Sequence, residues 1–116
     1  MFVGEESGRP GVLHVVDVSD LSNPVEVATF VDNAGNPHNF WLDEARGILY
    51  VAWYGRGLRA IDVSGELRGG LDAQGREVGK IEYSGGATLS WAPQLHDGLI
   101  YVSDINSGLW ILRPEF

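Results

Sequence analysis

No cysteine occurs among the 116 residues of the chain, which excludes a disulfide framework, a thiolate nucleophile and a cysteine-ligated metal. Basic residues are scarce: 8 Lys and Arg stand against 16 Asp and Glu, a formal net charge of -8. A surface that acidic repels phosphate backbones and anionic headgroups, so nucleic acid and membrane are not expected partners. No apolar run approaches the roughly 18 to 20 residues a spanning helix needs, and no positively charged segment followed by an apolar one opens the chain. Neither membrane insertion nor an export signal is therefore expected. Gly-x-Ser-x-Gly is missing, as is a phosphate loop with Lys before Ser or Thr, and no pair of carboxylates stands apart from those in turns.

What the chain does have is glycine, 16 against only 5 prolines, and glycine supplies positive φ where strands reverse. Hydrophobic residues make up 44%, enough for one domain of this length to bury a core. Residues 48–63 read as two apolar strands joined by the turn Gly55-Arg56-Gly57, and the pattern recurs at residues 99–113. Tyr50 matches Tyr101 and Leu58 matches Leu109, both at a spacing of 51. A third copy occupies residues 1–18, where Leu13-His14-Val15-Val16-Asp17-Val18 stands for Leu58-Arg59-Ala60-Ile61-Asp62-Val63. Self-similarity at such a period, with four strands per period, predicts an all-β fold of β-propeller blades, each a four-stranded antiparallel sheet.

Taken in order, the chain reads as one partial propeller domain over residues 1–116. Residues 1–30 form a repeat lacking its first strand, residues 38–83 a complete repeat, and residues 87–116 a repeat lacking its last strand. The total is about ten strands, or about two and a half blades, where a closed ring usually takes four to eight. The ring is thus expected to be incomplete and the chain to be a C-terminal fragment of a longer parent. Its expected partners are the missing blades of that parent or another copy of the chain. Residues 64–76, glycine-rich and without a counterpart in the first copy, read as a surface loop, and residues 93–98 as a turn after the first strand of the last copy.

Leu13-His14-Val15-Val16-Asp17-Val18-Ser19-Asp20, followed by Asn23-Pro24, resembles the motif of the LVIVD repeat, a β-propeller repeat of mostly bacterial and archaeal proteins. Leu58-Arg59-Ala60-Ile61-Asp62-Val63-Ser64 is similar, and Leu109-Trp110-Ile111-Leu112-Arg113-Pro114 departs from the pattern where Arg113 replaces the aspartate. The resemblance implies a propeller fold and an extracytoplasmic binding or surface protein. It does not fix a reaction.

Few residues invite chemistry. Gly55-Arg56-Gly57-Leu58-Arg59-Ala60 fits G-x-G-x-x-A on paper, but a dinucleotide site needs a helix after the glycines, and Leu58 onward is strand-like. A hairpin turn is the expected outcome. Propeller channels can hold ions on imidazoles. Of the three histidines, His14 falls within a strand, and His38 and His96 fall at opposite ends of their blades. A five-residue strand spans about 17 Å, so these two cannot share a metal ion. His38, with Asn39 beside it on the innermost strand, is the candidate metal ligand, and the two are the candidate channel-lining residues; the alternative role for His38 is a bond to a loop carbonyl of the next blade.

Asp32, Asn33 and Asn36 offer oxygens but match no calcium loop, so turn formation is expected of them. Trp41, Trp53, Trp91 and Trp110, with Tyr50, Tyr54 and Tyr101, are a possible sugar platform, although all but Trp41 recur at strand positions that suit packing between blades. The expected function is a non-enzymatic repeat module presenting loops to a protein or glycan ligand, with no cofactor firmly implied. The alternative is a metal-dependent, oxidoreductase-like enzyme with its site in the channel of the full ring.

Overall fold

Runs of alternating apolar residues, each stopped by Asp, Asn, Ser or Gly, fold into strands, and the computed structural model describes them over residues 1–8, 10–83 and 88–116. The expected opening of the last repeat at Ala87 lies outside the described residues. Eleven strands and no helix occur among the described residues. β1 (Phe2–Gly4), β2 (Gly11–Asp17) and β3 (Val25–Asp32) form an antiparallel sheet whose far edge is β7 (Gly69–Gly70). β4 (Phe40–Asp43), β5 (Ile48–Ala52), β6 (Leu58–Asp62) and β8 (Glu77–Ile81) form the second sheet. β9 (Ser90–His96), β10 (Leu99–Asp104) and β11 (Gly108–Leu112) form the third. The sheets stack as separate blades in an incomplete ring, the architecture the repeat register predicts.

The second sheet is the middle layer. Leu49, Val51, Trp53 and Ile61 point toward the first sheet and pack with Leu13, Val15, Ala28 and Phe30. Ile48, Tyr50, Leu58 and Ala60 point the other way and pack with Ile100 and Val102 of the third sheet. Every residue of β5 is consequently buried, and each such aliphatic side chain stabilises the stack by about 1.5–3 kcal/mol relative to exposure. On the outer face of the third sheet the counterparts of Leu58 and Ala60 are open, Leu109 at 63% and Ile111 at 57% exposure.

The aspartate that ends the repeated strand has a local task. Asp17 Oδ1 accepts the Ser19 amide at 2.9 Å, and Asp62 Oδ1 accepts the Ser64 amide at 2.8 Å and its hydroxyl at 2.6 Å. The side chain thereby closes an Asx turn that releases the chain from the strand. Hydrogen bonds from Ser19 and Ser64 hold both carboxyls below the usual aspartate value. Arg113 offers no such acceptor, and the chain after β11 leaves without this turn.

Two expectations are corrected. The segment 64–76 is more than a surface loop: Gly69 and Gly70 pair in parallel with Ala28 and Thr29 of β3, and Leu71 is fully buried in the first core. The segment leaves the second sheet and supplies a fourth strand to the first, which local sequence cannot reveal because a Gly-Gly step has no side-chain alternation. The turn expected at 93–98 is also shorter. β9 continues through Pro93, opposite Val102, to His96, and only Asp97 and Gly98, both at positive φ, reverse the chain. Proline is tolerated there because β9 is an edge strand, with one side free of ladder bonds.

Candidate functional site

Antiparallel order places the connections after β1, β3 and β5 at one end of the stack. Asn36 ties two of them together, its Nδ2 donating to the Gly8 carbonyl at 2.8 Å. Between β5 and β6 the chain turns tightly: the Arg56 amide donates to Trp53 O at 2.7 Å, and the Trp53 amide to Gly57 O at 2.8 Å. Gly57 sits at φ 72°, and a Cβ there would lie 2.0 Å from the Ile81 carbonyl oxygen. The G-x-G-x-x-A string is thus a hairpin followed by β6, with no helix N-terminus to face a phosphate.

Tyr54 occupies this turn at φ 32°, a left-handed conformation that costs a residue with a side chain on the order of 1–3 kcal/mol. Contacts to all three sheets hold it there. Its carbonyl accepts the Ser90 amide of β9 at 3.1 Å, and its hydroxyl donates to Glu6 Oε1 in the connection after β1. Burial, the hydrogen bond to Glu6 and the Glu6 charge push the Tyr54 hydroxyl up to about 12, so it remains a donor throughout the physiological range.

His38 adjoins the same carboxylate. Its Nε2 lies 3.7 Å from Glu6 Oε1, and its Nδ1 donates to the Trp91 carbonyl at 2.7 Å. The acceptor lies in the next blade, but on strand β9 rather than on a loop as expected. The ring packs on Trp91 at a centroid distance of 3.9 Å and on Tyr54 at 5.0 Å. Trp91 keeps 38% of its surface exposed. His38 and Asn39 precede β4 rather than begin it, yet they continue its ladder: the His38 amide donates to Ala52 O at 2.7 Å and the Ala52 amide to Asn39 O at 3.0 Å.

The other two histidines have partners of their own. His14 on β2 bonds Glu26 at 2.5 Å, and His96 ends β9 beside Asp97. Among the described residues no group of three or more His, Cys, Asp and Glu is gathered for a metal ion. Asp32 and Asn36 serve turns and loop ties, Asp32 Oδ1 accepting the Ala34 amide at 2.8 Å. Trp53 and Tyr50 are buried between sheets, and Trp110 stacks on Tyr83 at 4.5 Å. Trp41 and Trp91, on the inner strands, stay partly exposed.

A second polar cluster lies farther out, between the first and second sheets. Arg59, 1% exposed, donates to Asp32 Oδ2 at 2.5 Å and to Glu77 Oε2 at 3.2 Å. Arg56 reaches Glu82 at 2.8 Å. The sequence signals neither this cluster nor the Glu6–Tyr54 pair. Arg59 follows Leu58 as an outward residue of a half-buried strand would, but the middle sheet has no outward face.

Stacked sheets repeating one register, with the same turn-closing aspartate at the end of β2 and of β6, define a repeat protein built of propeller blades. Residues 9–32 match the family model of the LVIVD repeat, and the chain carries that repeat. Comparison with curated proteins and with solved structures finds no match.

Proposed function

We propose that this repeat module is a non-enzymatic binding module whose ligand, a protein or a glycan, meets the end of the stack that carries Glu6, His38, Tyr54 and Trp91. The observation that carries the reading is Tyr54, held in a costly backbone conformation by partners on all three sheets. Strain kept by surrounding structure gathers where a surface must hold its shape. Trp91 adds a half-open indole, and Glu6 an acceptor already set in place. Glycan-array screening followed by titration calorimetry tests the reading: binding is expected, and Trp91→Ala is expected to weaken it at least about tenfold, since such an aromatic contributes roughly 1–3 kcal/mol at a contact. A ligand whose affinity ignores Trp91, or turnover without binding, overturns it.

The metal-dependent alternative rests on His38 Nε2 and the Glu6 carboxylate. Metal content that is unchanged by His38→Ala removes that role.

The partners proposed for the two end faces are further blades of the same kind, in the parent chain or in a second copy. Leu109 and Ile111 stand where Leu58 and Ala60 pack against a neighbour, and Val3, 40% exposed, stands where Val51 is fully buried. Self-association or low solubility of the isolated chain is expected; a sharp monomeric sedimentation boundary with cooperative melting contradicts it.

A further inference from the structure

The two junctions between sheets are built alike up to one point. β3 and β8 are counterparts at a spacing of 51: Ala28 and Phe30 lie opposite Val15 and Leu13, as Gly79 and Ile81 lie opposite Ala60 and Leu58. Both carry the same irregularity, a register shift between Val15 and Val16 in one and between Ala60 and Ile61 in the other. The edge of β3 is then covered, because Gly69 and Gly70 pair with Ala28 and Thr29, the Leu71 amide donates to Thr29 O at 2.7 Å, and the Leu71 side chain fills the junction. Among the described residues no strand pairs with the outer edge of β8. In its place is a cavity of about 430 Å³ lined by Leu58, Ala60, Gly79, Ile81 and Leu112. Tyr50 forms another wall, and its buried hydroxyl has no hydrogen-bond partner among the described residues.

We infer that the outer edge of β8 and this cavity form a binding site for an extended peptide segment of the Gly-Gly-Leu type, added in parallel at Gly79 and Lys80 with its leucine in the cavity. The occupied first junction is the precedent for both the hydrogen bonds and the side chain. Glycine is favoured at the first of these positions because Gly69 sits at φ 64°, a backbone conformation that a larger residue resists. Strand addition of this kind takes affinity from main-chain bonds and selectivity from the pocket that receives alternate side chains. The C-terminal residue shares the floor of the site: Phe116 packs over Gly79, where a Cβ would meet its ring at 2.8 Å, and Arg46 lies 5.3 Å from the ring centroid. Phe116 therefore acts as a partial plug that the segment displaces. The site lies at the outer edge, away from Glu6 and Trp91, and does not depend on the function proposed above.

The test titrates the whole chain with a synthetic peptide of residues 64–76, followed by calorimetry and by amide hydrogen exchange. Saturable binding is expected, with exchange slowed at Gly79 and Lys80. Leu71→Ala in the peptide is expected to weaken binding by about tenfold or more, as loss of a buried leucine side chain does, and Phe116→Ala in the protein to tighten it severalfold. No saturation at millimolar peptide, or indifference to Leu71→Ala, overturns the inference. So does protection at Thr29 instead, which means exchange with the resident segment, or protection that rises with protein concentration without peptide, which gives the edge to a second copy.

Discussion

The first junction is locked and the second is open, although both are made from the same repeat. At the first, Leu71 is driven in from the second sheet and Arg59 is held by carboxylates of two sheets. At the second, the position of Arg59 is taken by Trp110, which stacks flat on Tyr83, and among the described residues no strand pairs with the outer edge of β8. The repeat specifies which faces meet. The connection between its last two strands decides how firmly they stay together.

The comparison can be broken most directly at Arg59. Arg59→Ala leaves Asp32 with only Arg56 at 3.8 Å and Glu77 with only Lys80 at 3.5 Å, and is expected to destabilise the chain by about 3 kcal/mol; that is the low end for a buried ion pair, since both carboxylates retain some water and a second cation. Urea denaturation followed by tryptophan fluorescence measures it, and a loss under about 1 kcal/mol would place the firmness of the junction in its apolar packing alone. Leu71→Ala follows, with an expected loss of about 2–3 kcal/mol from the cavity it leaves, read by the same denaturation. The matching change at the open junction, Phe116→Ala, should cost less than about 1 kcal/mol, because that ring remains 45% exposed. Equal losses at the two positions would abolish the distinction.

Acid sharpens the comparison with a smaller effect. Burial alone would raise Asp104, but the Ser107 hydroxyl and the amides of Ser107, Leu89 and Asn106 outweigh it and hold the carboxyl below its ordinary value. Its folded form therefore binds a proton less readily than the unfolded form. Its stabilising contribution is complete above the ordinary aspartate value near 3.9 and is lost as pH falls through the lower, folded value. Melting temperature should drop below about pH 4, and Asp104→Asn should flatten that drop. An unchanged slope in the variant would assign the acid response to Asp17, Asp20 and Asp62, whose turn bonds lower them in the same direction.

Much of the stack was readable from the chain because the repeat is written in side chains. Tyr50 and Tyr101, Leu58 and Leu109, and the aspartates at 17 and 62 repeat at fixed positions, so blades, hairpins and turns follow from local pattern. His38 and Asn39 were expected to open the innermost strand, which the structure begins at Phe40. The strap at 69–71 was not legible, since glycines carry no pattern and its pairing is set by a neighbouring sheet. Tyr54 was not either: nothing in Tyr54-Gly55-Arg56-Gly57 says that the tyrosine, as well as Gly57, adopts a left-handed backbone, because the forces holding it come from Glu6 and Ser90 of the neighbouring blades. The burial of Arg59 likewise depends on both faces of the middle sheet being covered, which is a property of the stack.

The shared irregularity in β3 and β8 works as a ruler. By inserting one unpaired residue, Val27 or Val78, next to the pairable stretch, it bends each outer strand and leaves room for only a brief partner beyond it. β7 conforms, contacting β3 at two positions only. Long strands of unrelated chains, the usual hazard at an uncovered sheet margin, find no continuous track to follow.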